Sequence, residues 1–182
     1  IFDNGVICAS EQAVVVESEI YKEVKKEFIN QGCYFVNEEE KLKMEKIIDT
    51  PYGSLNAKIV GKTASQLADM AKIEVPEDTK IIIAEETGVG KGYPFSREKL
   101  SPILAFYVED DWKKGCDKCI ELLDYGGMGH TLGIHSNDKD IIMEFALRKP
   151  ASIIIVHSPS THGAIGETTS LAPALTLGCG AV

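Results

Sequence analysis

The sequence predicts a three-layer α/β domain, in which helices cover both faces of a mostly parallel sheet. Runs of apolar, β-branched residues recur along the chain, for example at 14–16 and 81–83. Segments with helical periodicity and capping residues alternate with these runs, and this alternation is typical of a parallel sheet that is buried on both faces. The chain has 182 residues, of which 44% are apolar. That is enough to bury a core within one domain.

The first part of the chain alternates strands with capped helices. Ser, Thr and Asn side chains accept hydrogen bonds from the free N–H groups at a helix start, and Glu or Gln three residues later completes a capping box. A glycine just past the last helical residue is a common end signal. These signals predict a strand at 12–17, a helix capped by Ser18 and ended by Gly32, two helices opened by the Asn37–Glu40 and Thr63–Gln66 boxes, and a strand at 80–84.

The second part continues the same alternation after a glycine-rich loop at 85–99. It shows no internal repeat and no linker, so one α/β domain accounts for the whole chain. In such sheets the chemistry usually collects in loops at the strand ends. The predicted elements are a strand at 103–108, a helix capped by Asp110 or Asp111 and ended at 126–127, a strand at 131–134, a helix capped by Asn137 and ended by Pro150, and a strand at 152–156.

Charge and composition exclude several classes of function. The chain carries 19 basic and 28 acidic residues, a formal net charge of −9, with no basic cluster. We therefore expect no nucleic-acid partner and no anionic membrane partner. No apolar run approaches the roughly 18 residues needed to span a bilayer, and we expect no signal peptide. Because the chain starts at Ile1 rather than Met and stops at Val182, we expect it to be a piece of a longer protein.

The number and spacing of the cysteines indicate the cellular compartment, and they allow two competing hypotheses about a site. An odd number of unclustered cysteines predicts reduced thiols and a cytoplasmic location. Cys116 and Cys119, followed by His130 and His135, resemble a zinc-binding pattern with a short middle spacing. However, both cysteines fall on one apolar helical stripe with Trp112, which favours burial in a core over metal ligation. A zinc-stabilised, non-catalytic interaction domain stays open as an alternative function.

Cys8 is the candidate nucleophile. A turn signal at 4–5 precedes it, and the first strand begins only at about residue 12. Cys8 is therefore expected in a loop or short helical turn that leads into a buried strand, a plausible place for a reactive thiol. Glu98 lies just before a strand and His130 opens one, so both can line a pocket at strand ends. The alternatives are an inert cysteine, a solvated carboxylate and a structural histidine.

Four segments, taken together and in order, resemble the coenzyme A (CoA)-acylating aldehyde dehydrogenases. Within that family they are most similar to the aldehyde dehydrogenase half of the bifunctional aldehyde-alcohol dehydrogenases. Hydrolytic aldehyde dehydrogenases share the fold but typically carry a basic residue shortly after the nucleophile, where this chain has Glu11 and Gln12. A hydrolytic fragment remains a further alternative. The segments are 4–12 around Cys8, 98–102 (Glu-Lys-Leu-Ser-Pro), 129–131 (Gly-His-Thr) and 175–180 (Leu-Thr-Leu-Gly-Cys-Gly).

The resemblance implies a two-lobed subunit, of which residues 1–182 are the catalytic, nucleophile-bearing domain. The NAD-binding Rossmann lobe and a C-terminal tail used in oligomerisation are expected to lie outside this chain. The full-length protein is expected to be a homo-oligomer. Because that lobe is expected outside this chain, the resemblance does not extend to NAD binding or turnover by the isolated domain, and a catalytically silent folding unit stays open as a further alternative.

The implied reaction converts aldehyde, CoA and NAD+ reversibly into acyl-CoA and NADH, with acetaldehyde and acetyl-CoA as the expected pair. By the resemblance, Cys8 forms the thiohemiacetal and thioester, and its backbone N–H stabilises the oxyanion. Glu98 hydrogen-bonds the nicotinamide ribose. His130 lies near the thiol and tunes its pKa or moves its proton. No metal is expected, and Cys179 receives no role.

Overall fold

A computed structural model describes residues 2–126, 128–170 and 172. Its centre is a four-stranded parallel sheet with strand order β1-β4-β3-β2. β1 pairs with β4, β4 with β3 and β3 with β2, each time in parallel. The strands are β1 (Ala13–Glu17), β2 (Cys33–Phe35), β3 (Ile81–Glu85) and β4 (Ile103–Glu109), and the helices around them are α1 (Tyr21–Asn30), α2 (Glu38–Ile48), α3 (Ala64–Ala71) and α4 (Trp112–Gly126).

Each face of this sheet buries its own cluster of side chains. On one face, Ile82 and Ala105 of the strands pack against Met44 of α2 and Leu67 of α3. On the other face, Phe106 and its strand neighbours pack against Tyr21, Val24 and Phe28 of α1. Alternate residues of one strand thus face opposite clusters, as the pleat requires. The predicted fold class, a parallel sheet with helices on both faces, is confirmed.

A second, smaller sheet follows in the chain. β5 (Thr131–Ile134) and β6 (Ile153–Val156) pair in parallel with each other, with α5 (Lys139–Arg148) between them and the short helix α6 (Ser160–Ala164) after them. Among the described residues, the strands therefore divide between two sheets. The sequence pattern did not reveal this division, because an apolar run shows that a strand is buried but not which strand it pairs with. It also missed β2, which is three residues long.

The two predicted capping boxes are confirmed. Asn37 Oδ1 accepts the Glu40 N–H at 3.0 Å, and Glu40 Oε2 accepts the Asn37 N–H at 3.0 Å. Thr63 and Gln66 make the same reciprocal pair at 3.3 and 3.1 Å. Asp111 caps α4, since its carboxylate accepts the N–H groups of residues 113 and 114.

Two other predicted caps are wrong. α1 begins at Tyr21 without a side-chain cap, because the Ser18 N–H and hydroxyl donate instead to the backbone at the end of β4. The cap of α5 is Asp138 rather than Asn137, and its Oδ1 accepts the Asp140 and Ile141 N–H groups at 2.8 and 3.2 Å. Adjacent Asn and Asp residues are both good caps, so the pattern located this helix start only to within one residue.

Candidate active site

Cys8 lies in a tight turn just before β1. A 3-10 turn at Asp3–Gly5 opens the segment, and the Ser10 N–H donates to the Ile7 carbonyl at 2.8 Å, which closes a turn around Cys8. Cys8 is exposed, whereas Ala9 and Ser10 beside it are buried. The prediction that Cys8 lies in a short turn leading into a strand is confirmed. The thiol is therefore presented to solvent from an anchored backbone.

The segment carrying Glu98 runs alongside this turn. Because β1 and β4 are parallel neighbours, the segments that precede them meet at the amino end of the sheet. The Gln12 side-chain Oε1 accepts the Lys99 N–H at 2.9 Å. Gly5 has a φ of +77°, and a Cβ there would lie 2.9 Å from the Ser101 carbonyl oxygen. The Cys8 turn thus approaches this segment so closely that Gly5 has no room for a side chain.

Glu98 itself is exposed, while the residues on either side of it are anchored. Arg97 pairs with Asp49 at 2.5 Å, and Lys99 is fully buried. Within the described part of the chain, the Glu98 carboxylate makes no ion pair or hydrogen bond. The structure thus presents an unpaired carboxylate from a fixed backbone, at the same end of the sheet as Cys8.

His130 immediately precedes β5 and is half-buried. Its Nδ1 accepts the Thr131 N–H at 2.9 Å. An accepting Nδ1 carries no proton, so the proton of the neutral ring is on Nε2. The described residues show no hydrogen bond between His130 and Cys8. The hydrogen bond to Nδ1 therefore sets the tautomer of the His130 ring and holds the Nδ1 side of the ring against the backbone.

Glu11 joins the segment that carries Cys8 to the helix α6. Its Oε1 accepts the Ser160 N–H at the start of α6, at 2.8 Å. A second contact brings the ring of Phe2 against that of His162, with centroids 6.4 Å apart in an edge-to-face arrangement. The residues flanking Cys8 therefore contact α6, the helix that follows the smaller sheet.

The side chains proposed for zinc are not brought together. Cys116 is fully buried in a cluster with Ile134 and Phe145, and burial raises the pKa of Cys119 to about 11. The exposed His135 lies against the ring of His157, at a centroid distance of 5.9 Å. Across the described ranges 2–126 and 128–170, no three His, Cys, Asp or Glu side chains are placed to hold a metal ion. The helical stripe predicted for the two cysteines is confirmed.

The sequence did not predict the contacts that Glu11, Gln12 and Lys99 make around the Cys8 turn. Gln12 and Lys99 are 87 positions apart, and Glu11 and Ser160 are 149 apart. No local periodicity or spacing rule links residues at such separations. The available signal was the position of Glu11 and Gln12 within the segment that carries the family resemblance.

Comparisons with known proteins give the class of protein. No family model matches the chain. Over 98% of its length the chain is 42% identical to aldehyde-alcohol dehydrogenase 2 of Entamoeba histolytica, of which it covers 22%. It is 53% identical to an acetylating aldehyde dehydrogenase from Geobacillus thermoglucosidasius, whose solved structure superposes with a TM-score of 0.95 over 99% of this chain and 40% of that one.

A probable aldehyde dehydrogenase from Listeria monocytogenes is equally similar, at 52% identity and a TM-score of 0.96, and the chain covers 40% of it. The homologues of this chain are thus acylating aldehyde dehydrogenases, and it has their α/β fold. The expected resemblance is confirmed. The chain spans about a fifth of the length of the aldehyde-alcohol dehydrogenases that it matches.

Some of the predictions fall outside the described residues. These are the segment 175–180 of the family resemblance, including Cys179, and residue 127 in the predicted helix end. In the part of the chain that the structure describes, no helix is both long and apolar enough to cross a membrane.

Proposed function

We propose that residues 1–182 form the nucleophile-bearing domain of a CoA-acylating aldehyde dehydrogenase. The reaction is the reversible conversion of aldehyde, CoA and NAD+ into acyl-CoA and NADH, with acetaldehyde and acetyl-CoA as the physiological pair. The observation that carries this proposal is the exposed Cys8 on an anchored turn beside the Glu98 segment. The acetylating activity named for the Geobacillus relative supports the choice of acyl group.

Cys8 supplies the nucleophile. Its thiolate sulfur forms a bond to the aldehyde carbon, and the carbonyl electron pair moves to oxygen to give a tetrahedral oxyanion. The backbone N–H of Cys8 donates no backbone hydrogen bond among the described residues, so it can donate to that oxyanion. After oxidation, a thioester remains on Cys8. The CoA thiolate attacks the thioester carbon, acyl-CoA leaves, and the Cys8 thiolate is regenerated.

Glu98 fits a nucleotide ribose. A carboxylate has two acceptor oxygens, which suit the two vicinal hydroxyls of a ribose. The Glu98 carboxylate is exposed and has no partner in the described chain. Two serine hydroxyls close by in the sequence, Ser10 near Cys8 and Ser101 near Glu98, are buried and also have no described partner. When bound, NAD+ accepts the hydride from the carbon attached to Cys8. The rest of the nucleotide would be held by a Rossmann lobe outside residues 1–182.

His130 is proposed to move a proton near the thiol. With Nδ1 accepting from the backbone, only Nε2 can exchange a proton with Cys8 or with the CoA thiol. Histidine is suited to this because its charge changes in the physiological pH range. The full-length enzyme is proposed to be a cytoplasmic homo-oligomer.

The contacts of Glu11 and Gln12 favour the acylating reaction over hydrolysis. Hydrolytic relatives typically have a basic residue in this region. Here the Glu11 carboxylate accepts an N–H of α6, and the Gln12 side chain accepts the Lys99 N–H. Both side chains are therefore engaged in the fold, and neither is the basic residue that hydrolytic relatives carry in this region.

The proposal is tested by comparing Cys8→Ala with Cys119→Ala in the full-length protein. The rate of acetyl-CoA reduction is measured from the consumption of NADH. The metal content of each sample is also measured. Cys8→Ala is expected to lose at least about a thousandfold in kcat, because no second nucleophile takes over, whereas Cys119→Ala keeps its turnover. Full activity in Cys8→Ala would overturn the proposal. Free acetate formed from acetaldehyde without CoA would indicate a hydrolytic enzyme instead.

A further inference from the structure

Lys99 is a fully buried lysine that has no part in the reaction described above. Its Nζ donates to the backbone carbonyl oxygens of Gln12, Phe95 and Arg97 at 2.9, 2.6 and 2.6 Å. A lysine ammonium has three N–H donors, so all three are used by main-chain acceptors. No carboxylate in the described chain forms an ion pair with it. The side chain therefore joins the backbone just before β1 to its own segment at 95–99, rather than neutralising a charge.

Gln12 makes the complementary contacts. Its Oε1 accepts the Lys99 N–H at 2.9 Å, and its own carbonyl accepts Lys99 Nζ at 2.9 Å. Its Nε2 donates to the Ser10 carbonyl at 3.3 Å, next to the turn that carries Cys8. Lys99 directly follows Glu98. The pair thus joins the segment that leads from Cys8 to the segment that carries Glu98.

A buried lysine is costly, which makes a purely space-filling role a poor explanation. Burial lowers the pKa of Lys99 to about 7 because the charged form loses its hydration. The three carbonyl acceptors oppose that cost, since they bind the ammonium better than the neutral amine. A methionine of similar length would fill the same space without the desolvation penalty. What methionine cannot do is hold three carbonyl groups in one geometry.

We propose that Lys99 and Gln12 are positioning residues that together fix Glu98 relative to Cys8. This inference rests on the proposed function, because it uses the roles given there to Glu98 and Cys8. By holding both segments, the pair sets where the nicotinamide ribose is bound relative to the carbon attached to Cys8. Small displacements between reacting groups cost a large part of the rate, on the order of a hundredfold for about 1 Å.

The test uses the full-length protein with Lys99→Met, Gln12→Ala and Gln12→Glu, and with the exposed Lys58→Met as a control. We measure kcat, the KM for nucleotide and for aldehyde, and the rate at which iodoacetamide alkylates Cys8. Lys99→Met is expected to lower kcat by about ten- to a hundredfold and to raise the nucleotide KM, with little change in the aldehyde KM. Gln12→Glu keeps an acceptor for the Lys99 N–H and should retain most of the activity.

Non-additivity separates positioning from a general loss of stability. Since both residues act through one connection, the double variant Gln12→Ala with Lys99→Met should lose about as much kcat as the worse single variant. If Lys99→Met does not fold, Gln12→Ala carries the test, because it removes one side-chain acceptor and one side-chain donor but keeps the main-chain carbonyl that accepts from Lys99 Nζ. A folded Lys99→Met or Gln12→Ala variant with unchanged kcat and nucleotide KM overturns the inference.

The alkylation rate distinguishes failure of this inference from failure of the proposed function. It needs no turnover, so it is measurable even if the wild-type protein does not acylate CoA. In that event, a changed Cys8 alkylation rate in both Gln12→Ala and Lys99→Met, but not in Lys58→Met, still supports the connection. An unchanged rate in both overturns it.

Discussion

The two ends of the four-stranded sheet are built from different interactions. At the amino end, side chains bond to the backbone of distant segments: Gln12 and Lys99 hold each other's main chain, and Asn4 Nδ2 donates to the Gly61 carbonyl at 3.1 Å. At the carboxyl end, Lys41 Nζ also donates to the Glu85 carbonyl, at 2.7 Å, and three ion pairs lie beside the strand ends. They are Lys25–Glu85 at 2.6 Å, Lys41–Glu86 at 3.0 Å and Lys118–Glu109 at 4.0 Å.

The difference shows that the fold class does not by itself locate the site. In open parallel sheets, ligands usually bind beyond the carboxyl ends of the strands. Here Cys8 and Glu98 both precede their strands, β1 and β4, and lie at the amino end. Bonds to the backbone fix the course of a loop, whereas partly exposed ion pairs mainly compensate charge. At the amino end, the reciprocal contacts of Gln12 and Lys99 hold two segments in register.

The largest expected contrast is in thiol reactivity. Iodoacetamide at pH 8 should alkylate the exposed Cys8 more than a hundredfold faster than Cys119. A thiol with a pKa of about 11 is only about 0.1% thiolate at that pH, and Cys119 is also mostly buried. Peptide mapping by mass spectrometry after about one equivalent of reagent provides the measurement. Equal labelling of Cys8 and Cys119 would contradict the assigned difference.

Substitutions at the carboxyl end of the sheet should change the stability of the protein rather than its catalytic rate. Lys41→Met removes the partner of Glu86, whose side chain is 1% exposed, and leaves a buried carboxylate without compensation. We expect a loss of about 2–3 kcal/mol in the free energy of unfolding, with unchanged kcat per folded molecule. Urea denaturation and activity assays measure the two quantities.

Lys43→Met on the same helix provides the matched control for this substitution. Its partner Glu39 is exposed, so the expected change is below about 0.5 kcal/mol. A fall in kcat for Lys41→Met as large as that for Lys99→Met would remove the distinction between the two ends of the sheet.

A smaller effect is expected for Glu98→Gln at the amino end. The amide keeps the shape of the side chain but removes the charge and one strong acceptor, so nucleotide KM should rise about tenfold with less change in kcat. Asp110→Asn at the carboxyl end is the comparison, since it also neutralises an exposed carboxylate. If both variants raise nucleotide KM equally, the effect is one of net charge and Glu98 has no specific role.

The last expected effect is a pH dependence of stability. Lys99 has a folded pKa of about 7 against an ordinary value of 10.5, with Glu98, Arg97 and Glu86 as the charged groups that act on it. Between these two pH values the unfolded chain holds a proton that the folded chain has lost, so wild-type stability should rise with pH relative to Lys99→Met. Below pH 7 the difference should be flat. Urea denaturation from pH 6 to pH 9 tests this, and parallel curves for the two proteins would contradict it.

The amino-acid sequence determined the local structure to a large extent. The capping boxes at Asn37 and Thr63 specify helix starts through hydrogen bonds within four residues, so they could be predicted without a fold. The apolar runs of β1, β3 and β4 and the helical stripe of Cys116 and Cys119 are equally local. The position of Cys8 in a turn before a strand could also be predicted from neighbouring residues alone.

Only the tertiary structure decided which strands pair and which loops meet. The separation of β5 and β6 into their own sheet and the addition of β2 depend on competition between partners far apart in the chain. The contacts of Gln12 with Lys99 and of Glu11 with Ser160 cross 87 and 149 positions. Local propensity carries no information at such distances. The sequence thus pointed to Cys8, Glu98 and His130 one by one as candidates, and the parallel pairing of β1 with β4 placed Cys8 and Glu98 at the same end of the sheet.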